Sequence, residues 1–119
     1  MSNHANGKSK LNLRSDHRKA LLRNQIISFI NNGQLVSTTP RVREVKRLVE
    51  KLVTIAREGK NFAVIRRVWQ KLPYDKSAVY KLIDDIAPRY VDRPGGYTRC
   101  VSLGRRVSDT APIAILTWV

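Results

Sequence analysis

Apolar residues recur at spacings of three and four in four separate stretches, each bounded by residues that start or stop helices. In the first, Leu22, Ile26, Phe29 and Ile30 form a stripe that Leu21 and Ile27 widen, and that period lies on one face of a helix. Ser15 is placed to cap it. Asp16 lies in the first turn, where its charge suits the helix dipole, and Asn31, Asn32 and Gly33 offer left-handed residues at the end. A second helix opens with Thr39 as cap and Pro40 at the first helical position. It runs to about Glu58, with Val42, Val45, Val49, Leu52 and Ala56 apolar. A third, "NFAVIRRVWQKL", reaches Pro73 with Phe62, Ile65, Val68, Trp69 and Leu72 apolar, and Trp69 reads as a packing residue rather than a base-stacking platform. Asp75 caps a fourth, whose positions Ala78, Val79, Leu82, Ile83 and Ile86 lead to a stop at Pro88, because the residue before a proline is biased out of helical conformation.

Elsewhere the pattern changes. "QLVSTT", "GGYTRCVSLG" and "APIAILTWV" are rich in β-branched and aromatic residues and read as strands, the last two separated by the basic turn and loop "RRVSDTAP". The final run is apolar on both faces, which suits a buried central strand. Together these elements predict a single α+β domain over residues 15–119, about four helices packed with a small three-stranded mixed sheet. Residues 1–14 differ. "MSNHANGKSK" is basic and holds no acid and no large apolar side chain beyond the initiator, so it cannot pack a core and reads as an extended, flexible basic arm. His4 within it is solvated on this reading, and no apolar secretory segment is present there.

Charge adds a partner to this outline. The 119 residues carry 23 Lys and Arg against 9 Asp and Glu, a net +14. Such self-repulsion calls for a polyanion, and nucleic acid is the commonest, since basic side chains release condensed counterions when they meet phosphates. A membrane surface would ask for a long apolar span or a strongly amphipathic basic helix with exposed aromatics, and no apolar run approaches that length. Enzymes fit poorly: the acids are dispersed, Asp84 and Asp85 point roughly 100° apart on a helix, and the two histidines, His4 and His17, lie in or beside the arm. No metal, cofactor or small-molecule substrate is expected. Cys100, alone, excludes an internal disulfide and reads as a half-buried strand residue.

Candidate contact residues fall in two main places. Arg14, Arg18, Lys19 and Arg23 gather at the start of the first helix, directly after Lys8 and Lys10 of the arm; Arg41, Arg43, Lys46, Arg47 and Lys51 lie off the apolar stripe of the second helix and read only as its basic face. The other place is "APRYVDRPGGYTRC". Pro94 presets φ for one central position of a type II turn and Gly95 supplies the positive φ at the next, while Gly96 keeps the backbone bare. Arg89, Arg93 and Arg99 project charge around the turn, and Tyr90 and Tyr97 offer planar faces for ribose or base. The turn chemistry by itself fits an RNA-contacting loop and an ordinary hairpin entry about equally.

"SDHRKALLRN", "STTPRVREVKRLVEKLVTIAR", "KLIDDIAPRYVDRPGGYTR" and "SDTAPIAILTWV", taken together and in this order, resemble the bacterial large-subunit ribosomal protein seventeen family from about Leu11 to Val119. The resemblance implies a non-enzymatic structural constituent of the large ribosomal subunit that binds rRNA near the outer end of the peptide exit tunnel, beside neighbouring ribosomal proteins, in the cytoplasm of a bacterium or in an organelle. It implies RNA contact for His17, Arg18, Lys19 and Arg23 in the first block and for Arg93, Gly95, Gly96, Tyr97 and Arg99 in the later one; Lys8, Lys10 and Arg14 follow from the arm's charge. Arg105 and Arg106 stay basic although "LGRRVSD" replaces the family's usual Leu-Gly-Pro-Arg-Arg-Gly-Asp type of turn. A free-standing nucleic-acid-binding regulator is the alternative; it would need a helix with polar side chains set to reach base edges, and only Asn24 and Gln25 stand in such a place.

Overall fold

The computed structural model describes residues 14–73 and 75–119. Helix α1 spans Ser15–Asn32 and buries Leu22, Ile26, Phe29 and Ile30, ending at Gly33, whose left-handed backbone donates its N–H to Phe29 at 2.8 Å. Its N-cap is Arg14 rather than Ser15, and no side chain caps it. Instead the Asp16 carboxylate accepts from the His17 N–H at 2.9 Å, which holds the acid against the positive end of the helix.

Strand β1, Gln34–Thr38, leads directly into α2, Thr39–Ala56, whose N-cap is Thr38 and whose Pro40 sits in the first turn. The second helix buries the whole predicted stripe together with Val53. Helix α3 covers Phe62–Lys71, with the Asn61 side chain accepting from the Val64 N–H at 3.0 Å. Val64, Val68 and Leu72 face the core, whereas Phe62, assigned to the apolar face from the sequence, is 75% exposed. The apolar run at the start of α3 lets any of several neighbours lead the stripe, and Val64, not Phe62, takes the core position.

Asp75 caps α4, Lys76–Lys81, accepting from the N–H groups of Ser77 and Ala78 at 2.9 and 3.2 Å and from the Ser77 hydroxyl at 2.6 Å. The Ser77 hydroxyl first, then the Ala78 N–H, hold its carboxyl below the usual range. Pro88 does not stop this helix. The chain widens into a π turn over Leu82–Ile86, where the Ala87 N–H reaches back to the Leu82 carbonyl, and continues as a 3-10 turn over Ala87–Tyr90. In a regular α-helix the proline ring would meet the carbonyl four residues back. The wider turn moves that carbonyl aside, so Ala87 keeps helical angles of φ −60° and ψ −37°.

Strands β2, Thr98–Arg105, and β3, Pro112–Trp118, complete a sheet of order β1-β3-β2. β3 is central, as expected, but every ladder is antiparallel rather than mixed. Parallel sheets are stable mainly when both faces are covered, whereas antiparallel ones can leave one face to water. Here Leu35, Ala114 and Leu116 face the helices, while Val36, Val101 and Leu103 are exposed around Ile113 and Ile115 on the other side. The final strand is therefore buried on one face, not two. A bulge between Ser102 and Gly104 marks where β2 leaves the body, and from Val101 onward its residues are exposed.

Candidate nucleic-acid interface

Aromatic rings anchor both ends of the loop that joins Tyr90 to β2. Tyr90 is buried and donates its hydroxyl to the Val119 carbonyl at 2.9 Å; Tyr97 is fully buried, with its hydroxyl 3.2 Å from that of Thr54 on α2. The two ring centroids lie 5.4 Å apart, and Tyr90 is 6.1 Å from Trp118, which stacks on Phe29 at 4.5 Å. This chain of rings ties the loop to α1, α2 and β3. It also corrects one assignment: Tyr97 has no face to offer a base, because the residue just before β2 turns inward to fill the core.

Between the anchors the main chain is held from inside. The Arg93 N–H donates to the Tyr90 carbonyl at 3.0 Å, its Nε donates to the Gly95 carbonyl at 3.2 Å, and the Arg57 guanidinium donates to the Arg93 carbonyl. The positive φ falls at Gly96, 64°, and not at Gly95 as a type II turn centred on Pro94 would require. The Arg93 side chain holds the Gly95 carbonyl, so the reversal completes one residue later. Nothing within 4 Å would meet a side chain at either glycine, so the bare backbone faces open space.

The start of β2 is fixed to α2 by one carboxylate. Glu50 Oε2 accepts from the Thr98 N–H at 3.2 Å and from its hydroxyl at 2.9 Å, while Lys46 Nζ lies 3.8 Å from the same oxygen and donates to the Thr98 carbonyl at 3.3 Å. Thr98 is 4% exposed. An open groove of about 490 Å³ results, lined by Arg47, Glu50, Lys51, Thr54, Ile55, Gly95 and Tyr97. Arg47 also pairs with the largely buried Glu44 at 3.5 Å.

The structure separates other residues that the sequence grouped. Thr98 points to α2, so Arg99 lies on the opposite, outer face of the sheet, across from Thr117, away from the groove. In the β2–β3 hairpin, Arg105 donates to the Thr110 carbonyl at 2.9 Å. Arg106 forms a fork on Asp109, with Nε–Oδ1 2.9 Å and Nη2–Oδ2 2.7 Å, and the same carboxylate accepts from the Ala111 N–H at 3.2 Å. The Arg106 hydrogen bond, then the Ala111 N–H, lower the Asp109 carboxyl to about 2. Arg106 thus orders the hairpin, and its fork is already engaged.

Along α1, Arg14, His17 and Lys19 are exposed and Arg18 and Arg23 half-buried; Arg14 lies 3.9 Å from Asp16. Lys8 and Lys10 lie outside the described residues. What sequence reasoning left out of the site is the α2 wall. Arg47 and Lys51 stood out as basic positions off the stripe, but only tertiary packing brings them to Gly95. Among the described residues there is no cluster of potential metal ligands and no helix long and apolar enough to cross a membrane.

Residues 21–119 match the family described as ribosomal protein L17. The chain is 46% identical over 113 residues to the large ribosomal subunit protein bL17 of Desulforudis audaxviator, covering 95% of this chain and 99% of that one. Against the protein of that name from Rickettsia bellii it is 46% identical over 110 residues, 92% of this chain and 76% of the relative. Against that of Thermoanaerobacter pseudethanolicus the identity is 44% over 115 residues, 95% and 99% of the two chains. The alignments run through α1, α2, the anchored loop and the sheet alike, and the chain belongs to the ribosomal protein L17 family.

Proposed function

We propose that the protein is a structural, non-catalytic constituent of the large ribosomal subunit and holds rRNA in the groove between α2 and the 91–96 loop. The observation that carries this reading is the loop itself: a main chain clamped by Arg57 and Arg93, bare at Gly95 and Gly96, opposite Arg47 and Lys51. A preorganised backbone can approach phosphate or ribose closely, and guanidinium forks suit phosphate oxygens where lysines act as point charges. The names of the relatives support the same assembly. A second contact runs along the first turns of α1, through Arg14, His17, Arg18, Lys19 and Arg23, continued by Lys8 and Lys10 of the 1–14 arm. Arg99 serves RNA approaching the outer sheet face, and Arg105 RNA at the β2–β3 hairpin. On this reading the protein sits near the outer end of the exit tunnel, among other large-subunit proteins of a bacterial cytoplasmic ribosome, and membership of the family supports that seat.

The test is to wash ribosomes from the source in rising salt and quantify the protein against other large-subunit proteins by mass spectrometry. About one copy per subunit, retained at high salt, is expected, and Arg93→Ala with Lys51→Ala lowers the salt at which half is lost. Loss of a phosphate contact reduces the salt slope by about one. Substoichiometric protein released at moderate salt would favour a loosely bound regulator instead.

A further inference from the structure

A second groove, of about 280 Å³, lies between α3 and α4 and shares no residue with the first; its lining is Phe62, Ile65, Arg66, Trp69, Lys76, Val79 and Tyr80. Three of these seven residues are aromatic, and each has a cation set over its ring. Arg66 lies 5.1 Å from the Phe62 centroid, Lys76 5.8 Å from Trp69, and Lys60 5.7 Å from Tyr80. Phe62 and Tyr80 are 75% and 42% exposed. Ile65 and Val79 supply an apolar floor, and no carboxylate lines the groove. The nearby acids already face cations: Asp84 lies 3.3 Å from Lys60 and Glu58 lies 3.3 Å from Arg67.

We propose that this groove takes an unpaired nucleotide of RNA, its base against the Phe62, Trp69 and Tyr80 rings and its phosphates on Arg66 and Lys76. Exposed aromatic faces beside a basic rim are the combination that holds single strands: every base has a π face, and each phosphate finds a cation. The positive rim and the absence of lining acids select a polyanion, and the rings select one that carries flat apolar groups. A duplex hides its bases and an acidic peptide lacks them. The cations now over the rings keep the platforms flat and accessible, and they swing to phosphate when a base displaces them. This inference rests on the RNA reading above only for the kind of partner; the surface and its contacts are independent of the α2 groove.

The experiment uses the full chain, a single-stranded oligouridylate, a blunt-ended RNA duplex of matched charge and polyglutamate, at 0.15 M salt. Ultraviolet cross-linking followed by mass spectrometry should place uridine adducts on Phe62, Trp69 or Tyr80. Phe62→Ala with Arg66→Ala should weaken oligouridylate binding about tenfold, in keeping with the alanine series for base-stacking platforms. Because Phe62 and Arg66 are exposed, circular dichroism of the variant should match the parent. In the Arg93→Ala, Lys51→Ala protein the α3–α4 adducts should persist, so a failed α2 groove and a failed α3–α4 groove give different maps. Adducts absent from α3 and α4 would overturn the proposal. So would competition by polyglutamate or the duplex as strong as by free oligouridylate, which would mark an acidic-peptide site or a plain charged patch.

Discussion

Replacing Glu50 by alanine removes the acceptor for two donors at once, the Thr98 N–H and hydroxyl, at a residue only 4% exposed. Leaving a buried donor without a partner costs about 1–3 kcal/mol. The hydroxyl can rotate toward another acceptor, but the N–H cannot, so the larger share falls on the backbone group. Lys46 loses a half-exposed carboxylate partner at 3.8 Å, a contact worth only a few tenths of a kcal/mol at such a site. The sum is roughly 3 kcal/mol, against a total stability of about 5–15 kcal/mol for an ordinary domain. At roughly 4 °C or more per kcal/mol for a domain of this size, the melting temperature should fall by at least about 10 °C. Glu50→Gln keeps an acceptor oxygen in place and should lose only about 1 kcal/mol, the difference between a charged and a neutral acceptor. Thermal unfolding followed by circular dichroism gives both numbers, and hydrogen exchange at Thr98 shows whether the loss is local. A Glu50→Ala protein within 0.5 kcal/mol of the parent, with Thr98 still protected, would refute the idea that this carboxylate fixes β2 to α2.

The Asp109 carboxyl, held at about 2 by Arg106, is lowered from its unfolded value, so its contribution to hairpin order is complete above about 4 and is lost as pH falls through 2. A carbon-detected NMR titration should find that midpoint, and Arg106→Gln should move it up toward the ordinary carboxylate range. Tyr97→Phe removes the hydroxyl shared with Thr54 and should cost about 1 kcal/mol, whereas Tyr97→Ala opens a core cavity worth about 3–5 kcal/mol. Unchanged RNA affinity in Tyr97→Phe, with strong loss only in the unstable alanine variant, is the signature of an anchor rather than a stacking platform. Salt should act with opposite signs on folding and binding: raising NaCl from 0.01 to 0.15 M should increase the melting temperature of the free protein while weakening RNA binding. A flat or falling melting curve would show that self-repulsion among the excess cations does not burden the fold.

The parts of the structure legible from sequence are those where one periodicity stands alone. The stripes of α1, α2 and α4 are readable because their apolar residues sit between charged ones, and Gly33 and Asp75 mark ends by mechanisms local to a few residues. Phe62 misled because α3 begins with four apolar residues in a row, "FAVI", which fit more than one face. The π turn was invisible because it resolves a conflict between Pro88 and the packing of Ile86, Ala87 and Tyr90, which is tertiary in origin. In the loop, sequence located the turn but not its hydrogen bonds, since Arg57 is 36 residues from the carbonyl it holds. Arg93 and Arg99 looked like neighbours in one cluster, but Arg93 is tied into the loop through the Gly95 carbonyl while strand alternation turns Arg99 to the outer sheet face.

The scarce acids explain how a chain this basic keeps a defined shape. Seven of the nine stand in contacts that order the fold: Asp16 and Asp75 at helix starts, Glu50 on β2, Asp109 in the hairpin, and Glu44, Glu58 and Asp84 on Arg47, Arg67 and Lys60. Each sits where a backbone group or a single cation must be fixed, so acids do not dilute the basic surface as a whole. The Debye length is about 30 Å at 0.01 M salt and about 8 Å at 0.15 M, whereas the radius of gyration is 14.9 Å. At low salt every cation therefore feels the others across the molecule, and at physiological salt only its neighbours. Bound polyanion would relieve the remaining local repulsion where it is strongest, along α1, beside Arg93 and at the rims of the two grooves.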